Sequence, residues 1–272
     1  MHTEDLTPVE QRGDVWFKRD DKLVVAGVNG GKIRGCMMLA DGAPGLVTCG
    51  SRSSAQVNVV AHVAKHLGIP CRVHVPSGAL GAEVEAARAA GAEVVQHRPG
   101  YNSVIIARAR TDAQERGWVE VPFGMDCQEA VDQTRKQVEN LPREIKRVVV
   151  PVGSGTSLCG VLHGLLDYGF DVPVVGVYVG ADPTKRLEKY APKTFHSPFF
   201  CTPNDREKAW RDMVTLKSSG SKYSKPYPEP EYRGILLDPS YESKCIPFLE
   251  PGDLLWIVGC RQTVAQPDKP YA

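Results

Sequence analysis

Lys32 follows two glycines in VAGVNGGKIRG, residues 25–35, and precedes MMLA, which reads as the start of an apolar helix. An amine with bare backbone on one side and apolar side chains on the other loses hydration. Desolvation favours its neutral, nucleophilic form, which Schiff-base chemistry requires. A lysine in a loop is also an ordinary solvated charge, and the stretch alone leaves both readings open.

The strongest local pattern is VVVPVGSGTSLCG, residues 148–160, in which an apolar strand runs through Gly-Ser-Gly-Thr-Ser into a helix. Such a turn aims several backbone N–H groups at one point, with the positive end of a helix behind them. Hydroxyls at Ser154, Thr156 and Ser157 add donors, so Gly153–Ser157 suits a phosphate dianion. The G-K-[ST] ending of a nucleotide P-loop and the G-x-G-x-x-G spacing of a dinucleotide site are both absent. A tight turn that needs glycine only for space stays open.

Two further stretches carry chemistry-bearing side chains. TCGSRSSAQ, residues 48–56, follows a strand and opens a helix, and Ser51, Ser53 and Ser54 could hold a carboxylate there. Plain serine N-capping of that helix explains them equally well. LLDPSYESKC, residues 236–245, sets Tyr241 and Glu242 after an apolar strand and a proline break. An adjacent Tyr and Glu in a loop commonly lie on the surface.

Regularly alternating elements have to position these residues. Strand signals at 45–50, 71–76, 92–97, 118–123, 146–153 and 173–180 alternate with helical periodicity over 54–68, 81–91, 102–117, 126–141 and 156–169. Glycines 68, 91 and 117 stand where helices should end, and Asp126 with Glu129 matches a capping box. Strand–helix–strand repetition with short connections predicts an α/β fold, a parallel sheet with helices on its faces. The pattern fails between about 190 and 232, where SSGSKYSKPYPEPEY predicts a loop or lid. GILLDP and DLLWIVG then resume the strand signal and are expected to complete the same sheet.

Bulk composition excludes several functions. Thirty-three basic residues balance thirty-two acidic ones, so no whole-chain field draws nucleic acid or an anionic membrane. The first fourteen residues lack an apolar signal core and no stretch reaches a transmembrane length, which sets a cytoplasmic expectation. The cysteines at 36, 49, 71, 127, 159, 201, 245 and 260 form no C-x-x-C pair and are expected as reduced, mostly buried thiols rather than zinc ligands. His62 and His66, four apart on one helix, lack an H-E-x-x-H pattern and read as structural rather than as a metal pair. Trp16, Trp118, Trp210 and Trp256 are expected as core or interface anchors. No G-x-S-x-G elbow suggests a hydrolase.

Taken as a set, these stretches resemble the fold-type II pyridoxal-phosphate enzymes, and within them the 1-aminocyclopropane-1-carboxylate deaminase and D-cysteine desulfhydrase family. The resemblance runs from VWFKRDD (15–21) to LWIVG (255–259). It is clear over 15–80, 146–165 and 235–259 and weak between 185 and 232. It implies two three-layer αβα domains with mostly parallel sheets: a larger cofactor-binding domain from 1–45 and 123–272, and a smaller one from 46–122. It also implies pyridoxal 5'-phosphate as cofactor and a homodimer. Lys18 to Asp21 match the family's KRDD-like stretch, and Lys32 its Schiff-base lysine. GSRSSA matches the carboxylate-binding turn, with Ser54 in the place of the serine that lies against the cofactor. Residues 153–157 match the phosphate loop, and DPSYESK matches the segment whose tyrosine serves ring opening and whose glutamate faces the pyridine nitrogen, here Tyr241 and Glu242.

The chain departs from the family where asparagine usually precedes the lysine (Gly31 here), where asparagine usually follows the serine (Ala55 here), and at Ser53 in place of glutamine. Losing the second asparagine removes a donor that tunes the cofactor's electronics. The expected function is a lyase or deaminase of a small amino acid or related amine, with proton transfer at the α-carbon through Lys32. Two alternatives remain: a catalytically degenerate member that binds a phosphorylated ligand without turnover, and an enzyme acting on a nucleotide- or DNA-linked amino acid. The tyrosine- and lysine-rich segment 217–233 is the support for the last, and near-zero net charge gives no strong nucleic-acid signal.

Overall fold

The computed structural model describes residues 5–192 and 209–259. In chain order these form β1 (Val9–Arg12), β2 (Val15–Arg19), β3 (Val24–Val25), β4 (Val28–Asn29), α1 (Lys32–Ala40), β5 (Leu46–Cys49), α2 (Ala55–Leu67) and β6 (Cys71–Pro76). Next come α3 (Ala82–Ala89), β7 (Glu93–His97), α4 (Asn102–Arg116), β8 (Val119–Val121), α5 (Gln128–Lys136), β9 (Arg147–Val152), α6 (Thr156–Asp167) and β10 (Val174–Tyr178). The last are α7 (Thr184–Tyr190), α8 (Ala209–Met213), β11 (Val214–Ser218), β12 (Glu231–Tyr232), β13 (Ile235–Leu236), a 3-10 helix over Glu242–Phe248, and β14 (Asp253–Ile257).

Two compact units result. Asp21–Ala130 makes one, and Leu6–Asp20 with Val131–Val258 makes the other. This division differs from the boundaries expected at 46 and 122. Leu23, Val28, Ile33 and Cys36 share one apolar core with Val57, Val60 and Val73, and Met125 and Ala130 join it. Residues 21–45 and 123–130 therefore pack with the smaller sheet.

The smaller sheet has the order β7-β6-β5-β8 and is parallel throughout. Leu46 of β5 enters the core beneath α1 and α2, while Val47 and Cys49 face a second core with Ile105, Ala109 and Ala113 of α4. Helices on both faces explain why β5 is buried along its whole length.

The larger sheet has the order β1-β2-β14-β9-β10-β11, parallel except for the β1–β2 pair. Residues of β9 alternate between its two cores: Val148, Val150 and Val152 on one side, Val149 on the other. In β14, Leu254 and Trp256 alternate likewise with Leu255 and Ile257. The KRDD stretch closes one end of β2 with buried charges. Asp20 accepts from Thr7 Oγ1 at 2.7 Å and from Trp256 Nε1 at 2.9 Å, and Lys18 Nζ donates to the Thr7 carbonyl and to Asn140 Oδ1.

Three expectations need correction. Residues 214–218 lie in the segment read as loop, yet form β11, paired in parallel with β10. Among the described residues, Ile235–Leu236 does not join the large sheet and pairs with Glu231–Tyr232. The helix expected over 126–141 is shortened to Gln128–Lys136. Beyond it the backbone tightens into i→i+3 bonds, and Gln137 accepts from the Thr7 amide at 2.9 Å.

Burial raises the thiols of Cys49, Cys71 and Cys159 to about 12 each, so these cysteines pack as small apolar groups. Cys201 and Cys260 lie outside the described residues. Trp256 is fully buried and Trp210 nearly so. Among the described residues no helix is long and apolar enough to cross a membrane.

Candidate functional site

Candidate residues occur in both units. In the Asp21–Ala130 unit, the β3–β4 hairpin leads through Gly30 and Gly31 into α1, and Lys32 is its first residue. Lys32 is half-buried, and the four residues after it are buried, so the helix is anchored directly beyond the lysine.

In the same unit, β5 ends at Cys49 and the chain turns through Ser51, Arg52 and Ser53, all exposed, into α2. The turn is braced against residues 79–81: the Gly81 amide donates to the Arg52 carbonyl at 2.7 Å, and Arg52 NH1 to the Ala79 carbonyl. Ser54 occupies the N-cap position of α2 but makes no side-chain capping bond. Serine capping, which explained this stretch equally well from sequence, is therefore not the use of its hydroxyl. Ser54 Oγ lies instead 2.6 Å from where a Cβ on Gly50 would stand. The amides of the first turn of α2 have no capping side chain there, which suits an anion. Ala55 is buried, and Gln56 is committed to the fold through Thr48 Oγ1 and the Pro122 carbonyl. His62, of the histidine pair, has Nδ1 bonded to the Asn58 carbonyl at 3.0 Å, a structural use.

In the second unit, β9 runs into Gly153, Ser154 and Gly155, and α6 starts at Thr156. Gly155 is the N-cap and has φ +95°, a conformation that L side chains rarely adopt. Ser154 Oγ and Thr156 Oγ1 are 3.2 Å apart, and Ser157 is half-buried. Residues 153–157 form a glycine turn with hydroxyls grouped at the positive end of a twelve-residue helix, an arrangement that suits an anion.

The same unit brings Tyr241 to this turn. A Cβ on Gly153 would lie 2.9 Å from Tyr241 Oη, so only glycine leaves room for the phenol. Asp238 shapes the approach: its carbonyl accepts from the amides of Tyr241 and Ser243, and its Oδ1 from the Ser240 amide. Tyr241 is half-buried and Glu242 fully buried at the start of the 3-10 helix, so neither is a surface loop residue. Burial pushes the Tyr241 phenol well above the usual tyrosine range. The fields of Tyr223 and Glu242 add to this, while the Gly153 backbone hydrogen bond opposes it. The Tyr223 ring lies 6.2 Å from the Tyr241 ring, tilted by 56°.

Sequence reasoning missed Asp238, Tyr223 and Arg186. Asp238 had a signal, the Asp-Pro turn. Arg186 had none, because a short helix gives no indication of which loop it leans on. Its NH1 donates to Thr156 Oγ1 at 3.1 Å.

Residues 4–212 match the family model described as pyridoxal-phosphate dependent enzyme, and the chain belongs to this family. It is 31% identical over 152 residues to an L-serine dehydratase/L-threonine deaminase of Bos taurus, covering 53% of this chain and 46% of that one. It is 28% identical over 202 residues to a 1-aminocyclopropane-1-carboxylate deaminase of Pseudomonas syringae pv. tomato, covering 65% of this chain and 60% of the other. The chain thus spans about half the length of its mammalian relatives. Among solved structures, an ACC deaminase homologue superimposes with TM-score 0.75 at 22% identity, over 94% of this chain and 90% of that one. A processed threonine deaminase isoform from Solanum lycopersicum does so with TM-score 0.64 at 15% identity, over 94% and 84%. These likenesses establish the α/β fold with mostly parallel sheets.

Proposed function

We propose that this protein is a pyridoxal-phosphate-dependent lyase or deaminase acting on a small amino acid or related amine. The observation that carries this reading is the seating of Tyr241 against Gly153, which puts a phenol at the phosphate-type turn with a buried carboxylate, Glu242, next in sequence. The similarity to serine and threonine deaminases and to 1-aminocyclopropane-1-carboxylate deaminase supports the same class.

The residue types suit the cofactor. Lys32 is the amine that would hold its aldehyde, Gly153, Ser154, Gly155, Thr156 and Ser157 its phosphate, and Glu242 the proton of its ring nitrogen. When bound, the cofactor supplies an electron sink for charge developed at the substrate α-carbon. Lys32 takes and returns the proton at that carbon. Ser51, Ser53 and Ser54 orient the substrate carboxylate at the start of α2, where a helix end favours negative charge. Tyr241, kept protonated by burial, serves as a proton donor rather than as a base. The homodimer and cytoplasmic setting that the resemblance implies belong to the same proposal.

The test is to load the protein with pyridoxal phosphate and offer serine, threonine, cysteine and the cyclopropane amino acid. The proposal expects ammonia and a 2-oxo acid from at least one of them, and from none after Lys32→Ala. Ala55 and Gly31 favour the rival, a member that binds the cofactor without turnover. A loaded wild type that releases nothing from any of the four would favour that rival.

A further inference from the structure

We infer that Arg186 is the cation that pairs with the cofactor phosphate in this protein. The inference rests on the reading of residues 153–157 as the phosphate cradle. A glycine turn at a helix start offers only partial positive charge, and a phosphate dianion is held more firmly where a full cation stands beside it. The structure supplies one from α7. The stem of Arg186 packs on the turn: a Cβ on Gly155 would lie 3.3 Å from both Cβ and Cγ of Arg186 and 3.3 Å from Pro183 Cβ. The guanidinium then reaches the first residue of α6, where NH1 donates to Thr156 Oγ1 at 3.1 Å.

This bond organises the hydroxyls. NH1 and the Ser154 hydroxyl, 3.2 Å away, both meet Thr156 Oγ1, which ties the arginine to the hydroxyl pair of the turn. The α7 backbone fixes the arginine. The Thr184 amide is bonded to Asp182 Oδ1 at 2.7 Å and the Arg186 amide to the Pro183 carbonyl at 2.9 Å, while the guanidinium carbon lies 6.0 Å from the Tyr190 ring centroid. Arg186 is half-buried, so its charge acts on the turn through a medium less polarisable than water.

The test compares pyridoxal phosphate with pyridoxal, which has the same ring and aldehyde and no phosphate. Each is titrated into cofactor-free wild type, Arg186→Gln and Arg186→Lys, with bound ligand followed by visible absorption. The expected result is that Arg186→Gln binds pyridoxal phosphate about ten- to a hundredfold more weakly, with pyridoxal affinity unchanged and Arg186→Lys in between. Inorganic phosphate should compete with pyridoxal phosphate in the wild type and much less in Arg186→Gln. Equal binding of pyridoxal phosphate by wild type and Arg186→Gln would overturn the assignment. So would equal losses for both ligands, which mark a structural role. A wild type that takes up no pyridoxal phosphate would overturn the cradle reading itself, and this inference with it.

Discussion

The hydroxyl of Tyr241 stands 2.9 Å from the point where a Cβ on Gly153 would begin, with ring atoms Cε2 and Cζ at 3.4 and 3.5 Å. Only the hydroxyl is too close for an alanine. Gly153→Ala is therefore expected to displace the phenol and disturb the turn, weakening pyridoxal-phosphate affinity by about tenfold or more. Adding Tyr241→Phe removes the clashing atom and should restore most of that affinity. Absorption titration of the two single variants and the double variant measures this coupling.

Tyr241→Phe alone is expected to keep cofactor affinity and lower kcat by about a hundredfold or more, the usual contribution of a positioned proton donor. Because burial raises the phenol, the donor stays protonated beyond the ordinary tyrosine value of 10.0. The kcat profile of the wild type should then show no loss assignable to Tyr241 below that pH. An alkaline limb within the usual tyrosine range that disappears in Tyr241→Phe would contradict this.

Acid should loosen the smaller unit through a relay of rings. Arg108 NH1 donates to His97 Nδ1, His97 Nε2 to His74 Nδ1, and His74 Nε2 to Asp112 Oδ2, at 2.9, 2.7 and 2.9 Å, an order in which the His97 ring accepts from the guanidinium and must be neutral to do so. Arg72 and Arg116 also donate to Asp112, and Arg72 pairs with Glu93. Burial, with His74 and Arg108, holds His97 below its ordinary 6.5. The unfolded chain therefore binds more protons than the native one as pH falls through that value. This stabilisation is full above it and is lost on acidification. Burial alone would raise the Asp112 carboxyl, but bonds from His74, Arg116 and Arg72 hold it at about 2, so its contribution persists until pH falls below 3.8. Thermal unfolding should show a lower midpoint at about pH 5 than at about pH 7, with the difference reduced in His97→Gln.

Trp256 ties β14 to the buried carboxylate of Asp20, to which Nε1 donates at 2.9 Å. Trp256→Phe removes the donor and leaves a void, and is expected to destabilise the fold by about 2–4 kcal/mol. Urea denaturation checks this. An unchanged midpoint would mean that Asp20 is satisfied without the indole.

The parts legible in the sequence are those where one local rule governs. Val57, Val60, Ala61 and Ala64 repeat at helical spacing and are buried along α2, and an apolar strand entering a glycine turn and a helix is what β9, residues 153–155 and α6 form. The misses arise where burial comes from distant packing. In β11 only Val214 is buried, so an edge strand shows no apolar run. Ile235 and Leu237 are buried against the large sheet without belonging to it, and their apolarity imitated a further strand. Serine types drew attention to Ser54, but only the structure shows its hydroxyl unused in capping. Arg186 meets Thr156 across thirty residues of chain, a proximity no periodicity encodes.

Attachment of the cofactor through Lys32, the first residue of α1, is the premise of the proposed activity. Borohydride treatment of the loaded protein, then proteolysis and mass spectrometry, tests it directly. One reduced cofactor adduct on the peptide containing Lys32, absent from Lys32→Ala, is the predicted result. An adduct on another lysine, or cofactor retained with no adduct on any, would contradict it.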